Sequence, residues 1–133
     1  MRPEKSGVRA FLRRRILGPL VNSCRGLWHS AVHEEAFRVE LILSLVLVPG
    51  AFLMATDSMQ LIALIGSVLL VLIVELLNTA VEATVDRIGS EFHELSGRAK
   101  DAGSAAVMVS LILLVMVWDI VALENFWPGY SLM

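Results

Sequence analysis

Three stretches of the sequence contain no charged residue and are almost entirely apolar: residues 41–56, 58–74 and 102–118. Each is close to the lower limit of the roughly 17–25 residues that cross a bilayer as a helix. Their polar flanks extend them to full length, because lysine and arginine side chains can reach from a buried stem to the headgroups. The pattern predicts three transmembrane helices. Pro49 and Gly50 interrupt the first, a break that neighbouring groups can satisfy inside lipid.

Ahead of the first stretch, residues 8–40 have apolar positions at nearly helical spacing, and the other faces carry arginine, histidine and glutamate. The apolar positions are Leu12, Ile16, Leu20, Leu27, Val32 and Phe37. The pattern predicts one or two amphipathic helices, divided at Gly18 and Pro19. Such a segment lies in the plane of the membrane interface, or else packs as a cytoplasmic helix on the membrane domain.

We expect one membrane domain over residues 1–133, with an amphipathic region (1–40), three transmembrane helices (41–123) and a short tail (124–133). Basic residues indicate its orientation. The N-terminal segment is rich in arginine, the connection after the first helix has no basic residue, the connection near 87–101 has three, and the tail has none. Cytoplasmic loops carry an excess of lysine and arginine, so we predict a cytoplasmic N-terminus and a periplasmic C-terminus.

Composition supports a membrane protein and argues against a nucleic-acid partner. The chain is 56% hydrophobic and 18% charged, whereas soluble domains have roughly 45–50% and 25%. The formal net charge is only −2. The basic N-terminal segment is therefore better explained as a flank that rests on anionic headgroups. We expect no nucleic-acid partner.

Four polar residues, three of them acidic, follow the second apolar stretch: Glu75, Asn78, Glu82 and Asp86. At about 100° per residue they fall within roughly 80° of one another on a helix, and we call them the acidic stripe. Polar residues can simply join helices, which explains one asparagine well but three mutually repelling carboxylates badly. A carboxylate in hydrocarbon costs roughly 2.5–3.5 kcal/mol and usually marks a functional site. The stripe therefore predicts a site that gathers protons, a metal ion or arginines.

A second acidic cluster lies just before the first apolar stretch, at Glu34, Glu35 and Glu40. Glu34 could meet Glu82 at the same membrane depth and offer two oxygens to Mg²⁺, which takes one or two carboxylates together with phosphate oxygens. The alternative is a solvated helix start with Glu35 near the positive end of the helix dipole. The spacing leaves both interpretations open.

The segment 90–101 is dense in hydrogen-bond donors and acceptors. Arg98 and Lys100 could contact phosphate oxygens, the lysine as a point charge. Composition alone favours a cytoplasmic turn whose charges set topology. The sequence contains neither a GxxxxGK[ST] phosphate loop nor a GxGxxG turn, so any nucleotide binding needs a different design. Asp119, in the third predicted transmembrane helix, is assigned no role.

The acidic stripe belongs to a longer motif. Residues 75–86 match E-x-x-N-[ST]-A-[IV]-E-x-x-V-D, residues 99–106 match A-K-D-x-x-x-[AG]-A, and residues 34–40 match E-x-A-F-R-x-E. Together with the hydropathy profile and the length, these motifs closely resemble the prokaryotic diacylglycerol kinase family. The resemblance runs from about residue 15 to residue 118.

The resemblance implies an all-α integral membrane homotrimer, each subunit with three transmembrane helices and an amphipathic surface helix, and with active sites shared between subunits. It implies an ATP-dependent lipid kinase of the bacterial inner membrane. The γ-phosphate of ATP, bound as Mg-ATP, would move to the hydroxyl of diacylglycerol and give phosphatidic acid. The implied partners are Mg²⁺, ATP, diacylglycerol, the bilayer and further copies of the chain.

The resemblance also assigns roles to residues. Glu75 is the catalytic base, with Asn78 as a second catalytic residue and Asp86 supporting the polar centre. Glu34 and Glu82 bind the metal ion on ATP. The positions that match nucleotide contacts are Arg15, Glu34, Glu82, Glu91, Phe92, His93, Lys100 and Asp101. The positions that match lipid-substrate contacts are Arg15, Glu75 and Ser104.

Two alternatives remain beside this prediction. One is a polyprenol (undecaprenol) kinase, since isoprenoid and acyl tails suit the same apolar groove. The other is a non-enzymatic conduit for protons or cations, which intramembrane carboxylates also permit. A conduit needs polar groups along the whole span, and residues 61–74 offer only Ser67.

Overall fold

The computed structural model describes residues 11–89, 91 and 93–127. A short π-helical segment, Arg13–Leu17, leads into α1 (Gly18–His33), which is followed by α2 (Glu35–Met54), α3 (Ser58–Ile88) and α4 (Glu94–Phe126). The described residues contain no strand. The predicted all-α membrane protein, with three transmembrane helices and an N-terminal surface helix, is confirmed.

Helices α2, α3 and α4 are all long and apolar enough to cross a membrane, with 20, 31 and 33 residues. At 1.5 Å per residue, about 20 residues match the ~30 Å hydrocarbon core. Helix α2 therefore fits the core, and α3 and α4 extend beyond it by roughly 15–20 Å. Counted from Ser58, the first residue of α3, the core ends near residue 78. The acidic stripe thus starts just inside the membrane boundary and continues beyond it.

The N-terminal segment changes helix type at Gly18, where the π-helical segment Arg13–Leu17 ends and α1 begins. Gly18 has helical backbone angles (φ −59°, ψ −58°), and Pro19 occupies the first turn of α1. A proline there loses no hydrogen bond, because first-turn N–H groups have no partner within the helix. A second division lies at Glu34, whose extended backbone (φ −100°, ψ 118°) separates α1 from α2. An element boundary is thus present at Gly18, as expected, although the backbone stays helical through it.

Among the three long helices, α1 contacts mainly α2, and its apolar side chains are left uncovered. Leu20, Leu27, Trp28 and Val32 are all exposed, Trp28 by 72%. Exposed apolar residues on a helix that is otherwise polar suit a position in the membrane interface. Helix α3 packs most extensively against α4 and next against α2, so it is the central helix of the described chain.

The 55–57 turn between α2 and α3 meets the last turns of α4, and we call this region the turn end. Asp57 caps α3 by accepting hydrogen bonds from the backbone N–H groups of Met59 (2.7 Å) and Gln60 (2.9 Å). Beneath it, Ala51, Leu64 and Val121 form a buried core from one residue of each transmembrane helix. Pro49 does not end α2, which continues to Met54, and the Trp118 ring lies next to Gly50.

The connection between α3 and α4 is short. Helix α3 ends at Gly89 in extended backbone, and α4 begins after His93, whose Nδ1 accepts a hydrogen bond from the N–H of Leu95 at 3.2 Å. Residues 94–101, expected in a loop near 87–101, are therefore helical. The histidine cap starts the helix earlier than composition suggested, because it gives one free first-turn N–H a partner.

Candidate active site

Glu75 is the buried centre of the acidic stripe. It is 5% exposed, on the face of α3 that packs against its neighbours. Other carboxylates surround it: Glu34 and Glu82 lie close enough for their charges to repel that of Glu75, and Glu40 also interacts with it electrostatically. Buried carboxylates remain together only when protons or cations offset their repulsion. We call Glu34, Glu40, Glu75, Asn78 and Glu82 the acidic end.

The break between α1 and α2 brings Glu34 to this cluster. Glu34 is half-buried, and its backbone N–H donates to Ser30 O at 2.9 Å while its carbonyl accepts from the N–H of Arg38 at 3.2 Å. Both helices are thus hydrogen-bonded to the residue that separates them. Because Glu34 belongs to neither helix, it can approach α3 from the surface segment, as the predicted meeting with Glu82 requires.

Asn78 and Glu82 lie one helical turn apart and are directly bonded. The Asn78 Nδ2 donates to Glu82 Oε1 at 3.2 Å. The amide oxygen Oδ1 is buried and has no hydrogen-bond partner among the described residues. Asn78 therefore orients one carboxylate of the cluster through its nitrogen, while its oxygen faces the neighbouring helix.

Beyond the membrane boundary, Lys100 of α4 forms an ion pair with Asp86 of α3. Lys100 also attracts Glu82, which is nearer the buried centre. An open hollow of 210 Å³ lies beside this pair, and its polar lining includes Asp86, Glu91, His93 and Lys100. Four residues predicted from the sequence are thus brought together at the mouth of the acidic end.

Glu40 joins the site although no role was predicted for it. Its Oε2 is buried without a hydrogen-bond partner among the described residues, and it interacts with Glu75. It closes one end of a narrow 60 Å³ slot whose other lining residues are valines and leucines of α2, α3 and α4. The signal was present in the sequence, since Glu40 ends the quoted E-x-A-F-R-x-E motif.

The sequence matches known lipid kinases over most of its length. The family model of prokaryotic diacylglycerol kinase matches residues 21–122. A diacylglycerol kinase of Escherichia coli (strain K12) is 48% identical over 112 residues, 84% of this chain and 92% of the relative. The diacylglycerol kinase of Haemophilus influenzae is 50% identical over 96 residues, 72% of this chain and 81% of the relative. That of Pseudomonas aeruginosa is 44% identical over 110 residues, 83% of this chain and 89% of the relative.

The chain belongs to the prokaryotic diacylglycerol kinase family. The family resemblance drawn from the motifs is therefore confirmed. The matched residues include the whole acidic end and Lys100, and they begin after Arg15.

Three of the residues that the family resemblance assigned do not meet the others in this single chain. Arg15 is exposed in the π-helical segment and makes no ion pair with the acidic end among the described residues. Asp101 and Ser104 are exposed on α4 and do not line the hollow. Phe92 lies outside the described residues.

The donors of the acidic end suit Mg²⁺. They are oxygens, and their mutual repulsion calls for a cation. The described residues contain no group of three or more histidine, cysteine, aspartate or glutamate side chains arranged as a ready-made metal site. Mg²⁺ does not need such a group, because it is usually held by one or two carboxylates and completed by phosphate oxygens and water.

Proposed function

We propose that this chain is a diacylglycerol kinase that transfers the γ-phosphate of ATP to the hydroxyl of membrane diacylglycerol. Its family membership supports the proposal. The observation that carries it is the burial of Glu75 among carboxylates near the membrane boundary, in the same helical stripe as Asp86, which lines a hollow together with Lys100. The hydroxyl of diacylglycerol lies at the membrane surface and ATP comes from the aqueous phase, so the two substrates can meet only at the membrane boundary.

Glu75 acts as the general base. A primary alcohol is a weak nucleophile, and a carboxylate within hydrogen-bond reach removes its proton as the oxygen attacks the γ-phosphorus. The new O–P bond forms as the bond to the ADP oxygen breaks, so the products are phosphatidic acid and ADP, with the proton on Glu75. The aliphatic residues around the slot beside Glu40 exclude water, which would otherwise compete for the phosphoryl group.

Positioning and charge neutralisation supply most of the catalysis in phosphoryl transfer. Lys100 offers a positive charge at the hollow, and its ion pair with Asp86 fixes the position of that charge. Glu34 and Glu82 would hold Mg²⁺ on the phosphates, and Asn78 orients the Glu82 carboxylate through its amide. When bound, Mg²⁺ neutralises phosphate charge. Glu91 and His93 are further contacts to the nucleotide; Phe92 and Asp101 are also assigned there by family resemblance.

The complete site is formed by a homotrimer. The hollow of one chain encloses 210 Å³, which is below the roughly 300–1,000 Å³ of typical ligand pockets. Apolar side chains on all three transmembrane helices are also exposed in the single chain. A neighbouring subunit supplies the missing walls and brings Arg15 and Ser104 to the lipid substrate. We place the protein in the bacterial inner membrane, with the acidic end and N-terminus towards the cytoplasm and the C-terminus towards the periplasm.

The test is transfer of radiolabelled γ-phosphate from ATP to diacylglycerol and to undecaprenol, side by side in mixed micelles with purified protein. We expect Mg²⁺-dependent labelling of diacylglycerol and little labelling of the polyprenol. Preferential labelling of undecaprenol would instead make the chain a polyprenol kinase. If neither lipid is labelled but proteoliposomes leak protons or cations, the conduit is the correct function.

A further inference from the structure

Gly103 of α4 lies against Asn78 of α3, where the two helices approach closely. A Cβ atom at Gly103 would contact the Asn78 Oδ1 and would lie 3.3 Å from its Cγ and 3.9 Å from its Cα. At Gly66, in the same central helix as Asn78, an added Cβ meets nothing within 4 Å. The absence of a side chain at Gly103 therefore provides the space in which the Asn78 amide lies.

The orientation of that amide is determined by its two neighbours. A carboxylate oxygen accepts hydrogen bonds, and the NH₂ group of Asn78 faces Glu82 Oε1, to which it donates at 3.2 Å. The oxygen consequently faces Gly103, buried and without a hydrogen-bond partner among the described residues. Packing against the glycine, rather than a hydrogen bond, holds the oxygen in place.

The same contact aligns the two helices beyond the membrane boundary. Lys100 lies about one helical turn before Gly103 on α4 and pairs with Asp86 of α3. A methyl group at Gly103 must either push α4 away from α3 or rotate the Asn78 amide. The first response moves Lys100 relative to Asp86 and Glu82, and the second breaks the Asn78–Glu82 hydrogen bond.

We infer that Gly103 is a positioning residue of the kinase site, because its missing side chain seats the Asn78 amide and thereby aims Glu82 and Lys100 at the Mg-ATP. Gly103 touches neither substrate in this account and acts only through Asn78 and the helix alignment. The inference rests on the proposed function, since it specifies how the nucleotide side of that site is held.

The kinetic test compares Gly103→Ala with Gly66→Ala in the full chain. Alanine is the better helix former at both positions, so any loss reflects the contact and not helix propensity. Misplacement of a catalytic group by about 1 Å can cost up to about 100-fold in rate. We therefore expect Gly103→Ala to lower kcat/KM for Mg-ATP by roughly 10- to 100-fold, with an unchanged KM for diacylglycerol. Gly66→Ala should behave like the parent protein.

A spectroscopic test follows the amide directly and does not depend on activity. The chain has three asparagines, Asn22, Asn78 and Asn125, so selective ¹⁵N labelling gives three side-chain amide signals. The Asn78 signal is identified by its loss in Asn78→Ala. We expect Gly103→Ala to shift this signal and Gly66→Ala to leave it in place.

If Gly103→Ala folds poorly, a double-mutant cycle with Asn78→Ala decides the question. Removing the amide removes the obstruction, so Asn78→Ala/Gly103→Ala should recover the thermal stability lost in Gly103→Ala. Additive losses of stability, an unmoved Asn78 signal, or parental Mg-ATP kinetics in Gly103→Ala would each overturn the inference. If the parent protein phosphorylates no diacylglycerol, the proposed function fails, while the amide signal and the cycle still test the contact.

Discussion

The turn end and the acidic end of the helices treat their polar side chains in opposite ways. At the turn end, Gln60 and Asn125 bond each other twice, with Asn125 Nδ2 donating to Gln60 Oε1 at 3.0 Å and Gln60 Nε2 donating to Asn125 Oδ1 at 3.1 Å. At the acidic end, buried oxygens of Glu40 and Asn78 have no partner among the described residues, and Glu75 is surrounded by like charge.

The hydrogen bonds of the turn end stabilise the fold, whereas the acidic end is the region that we propose binds a cation. Satisfied hydrogen bonds each contribute about 0.5–1.5 kcal/mol, and an unsatisfied buried group costs about 1–3 kcal/mol. In the described part of the turn end there is one such group, the neutral indole N–H of Trp118. The acidic end instead collects carboxylates whose repulsion a bound cation would relieve. Changes at the two ends should therefore affect different measurements.

The largest effect is expected for Glu75→Gln, which retains the shape of the side chain and removes the base. General acid–base catalysis typically contributes about 10²- to 10⁴-fold, so transfer of γ-phosphate to diacylglycerol should fall by at least that much. The protein should still assemble normally, as judged by its size in detergent. The matched control is Asp119→Asn, which neutralises a carboxylate on α4 outside the site and should leave turnover unchanged. Near-normal turnover in Glu75→Gln would contradict the role of Glu75 as base.

Glu82→Gln should mainly weaken binding of Mg-ATP. The substitution removes a charge that would hold the metal ion, so we expect KM for Mg-ATP to rise by roughly tenfold or more, as when a metal site loses a supporting group. The KM for diacylglycerol should stay constant, and the Mg²⁺ titration of activity should move to higher concentration. A Mg²⁺ titration identical to that of the parent would remove Glu82 from the metal site.

The contrast between the ends also shows what could be predicted from sequence. The acidic stripe follows from helical period within one element, which is why Glu75, Asn78 and Glu82 were predicted. Glu40 lies on another helix, and its approach to Glu75 depends on how α2 is rotated against α3. Rotation is a property of packing between helices, so spacing along α2 could not reveal it. The contact between Gly103 and Asn78 also depends on packing between helices, so the sequence spacing could not reveal it either.

Local chemistry explains where the helix boundaries lie. At Gly18 and Pro19 the helix type changes while the backbone stays helical, because a proline in the first turn of a helix is tolerated. The segment 94–101 resembles a loop because it is polar, yet His93 caps its first turn. Nothing in composition distinguishes a polar loop from the polar end of a long helix that emerges from the membrane.

At the turn end, Asn125→Ala should reduce stability without changing catalysis. The Asn125 amide donates to Met54 O at 2.8 Å and to Gln60, and it accepts from Gln60. Losing these bonds should lower the free energy of unfolding by about 1–3 kcal/mol, measured by denaturant titration in mixed micelles. The control, Glu124→Gln, keeps an oxygen that can accept from Gln60 and should cost little. A raised KM for Mg-ATP in Asn125→Ala would show that the two ends are coupled rather than separate.

The smallest effect is expected for Asp57→Ala, which removes the cap of α3 at the turn end. The Asp57 carboxylate accepts from two backbone N–H groups, those of Met59 and Gln60. Loss of an N-cap typically costs about 0.5–2 kcal/mol, and Asp57→Asn should retain most of the stability because asparagine caps equally well. The cap begins the helix that carries the acidic stripe, and Glu75 lies 18 residues further along it, about 27 Å at 1.5 Å per residue. Unchanged kinetics in Asp57→Ala, together with reduced stability, would show that the position of Glu75 is held by packing around it and not by the distant start of its own helix.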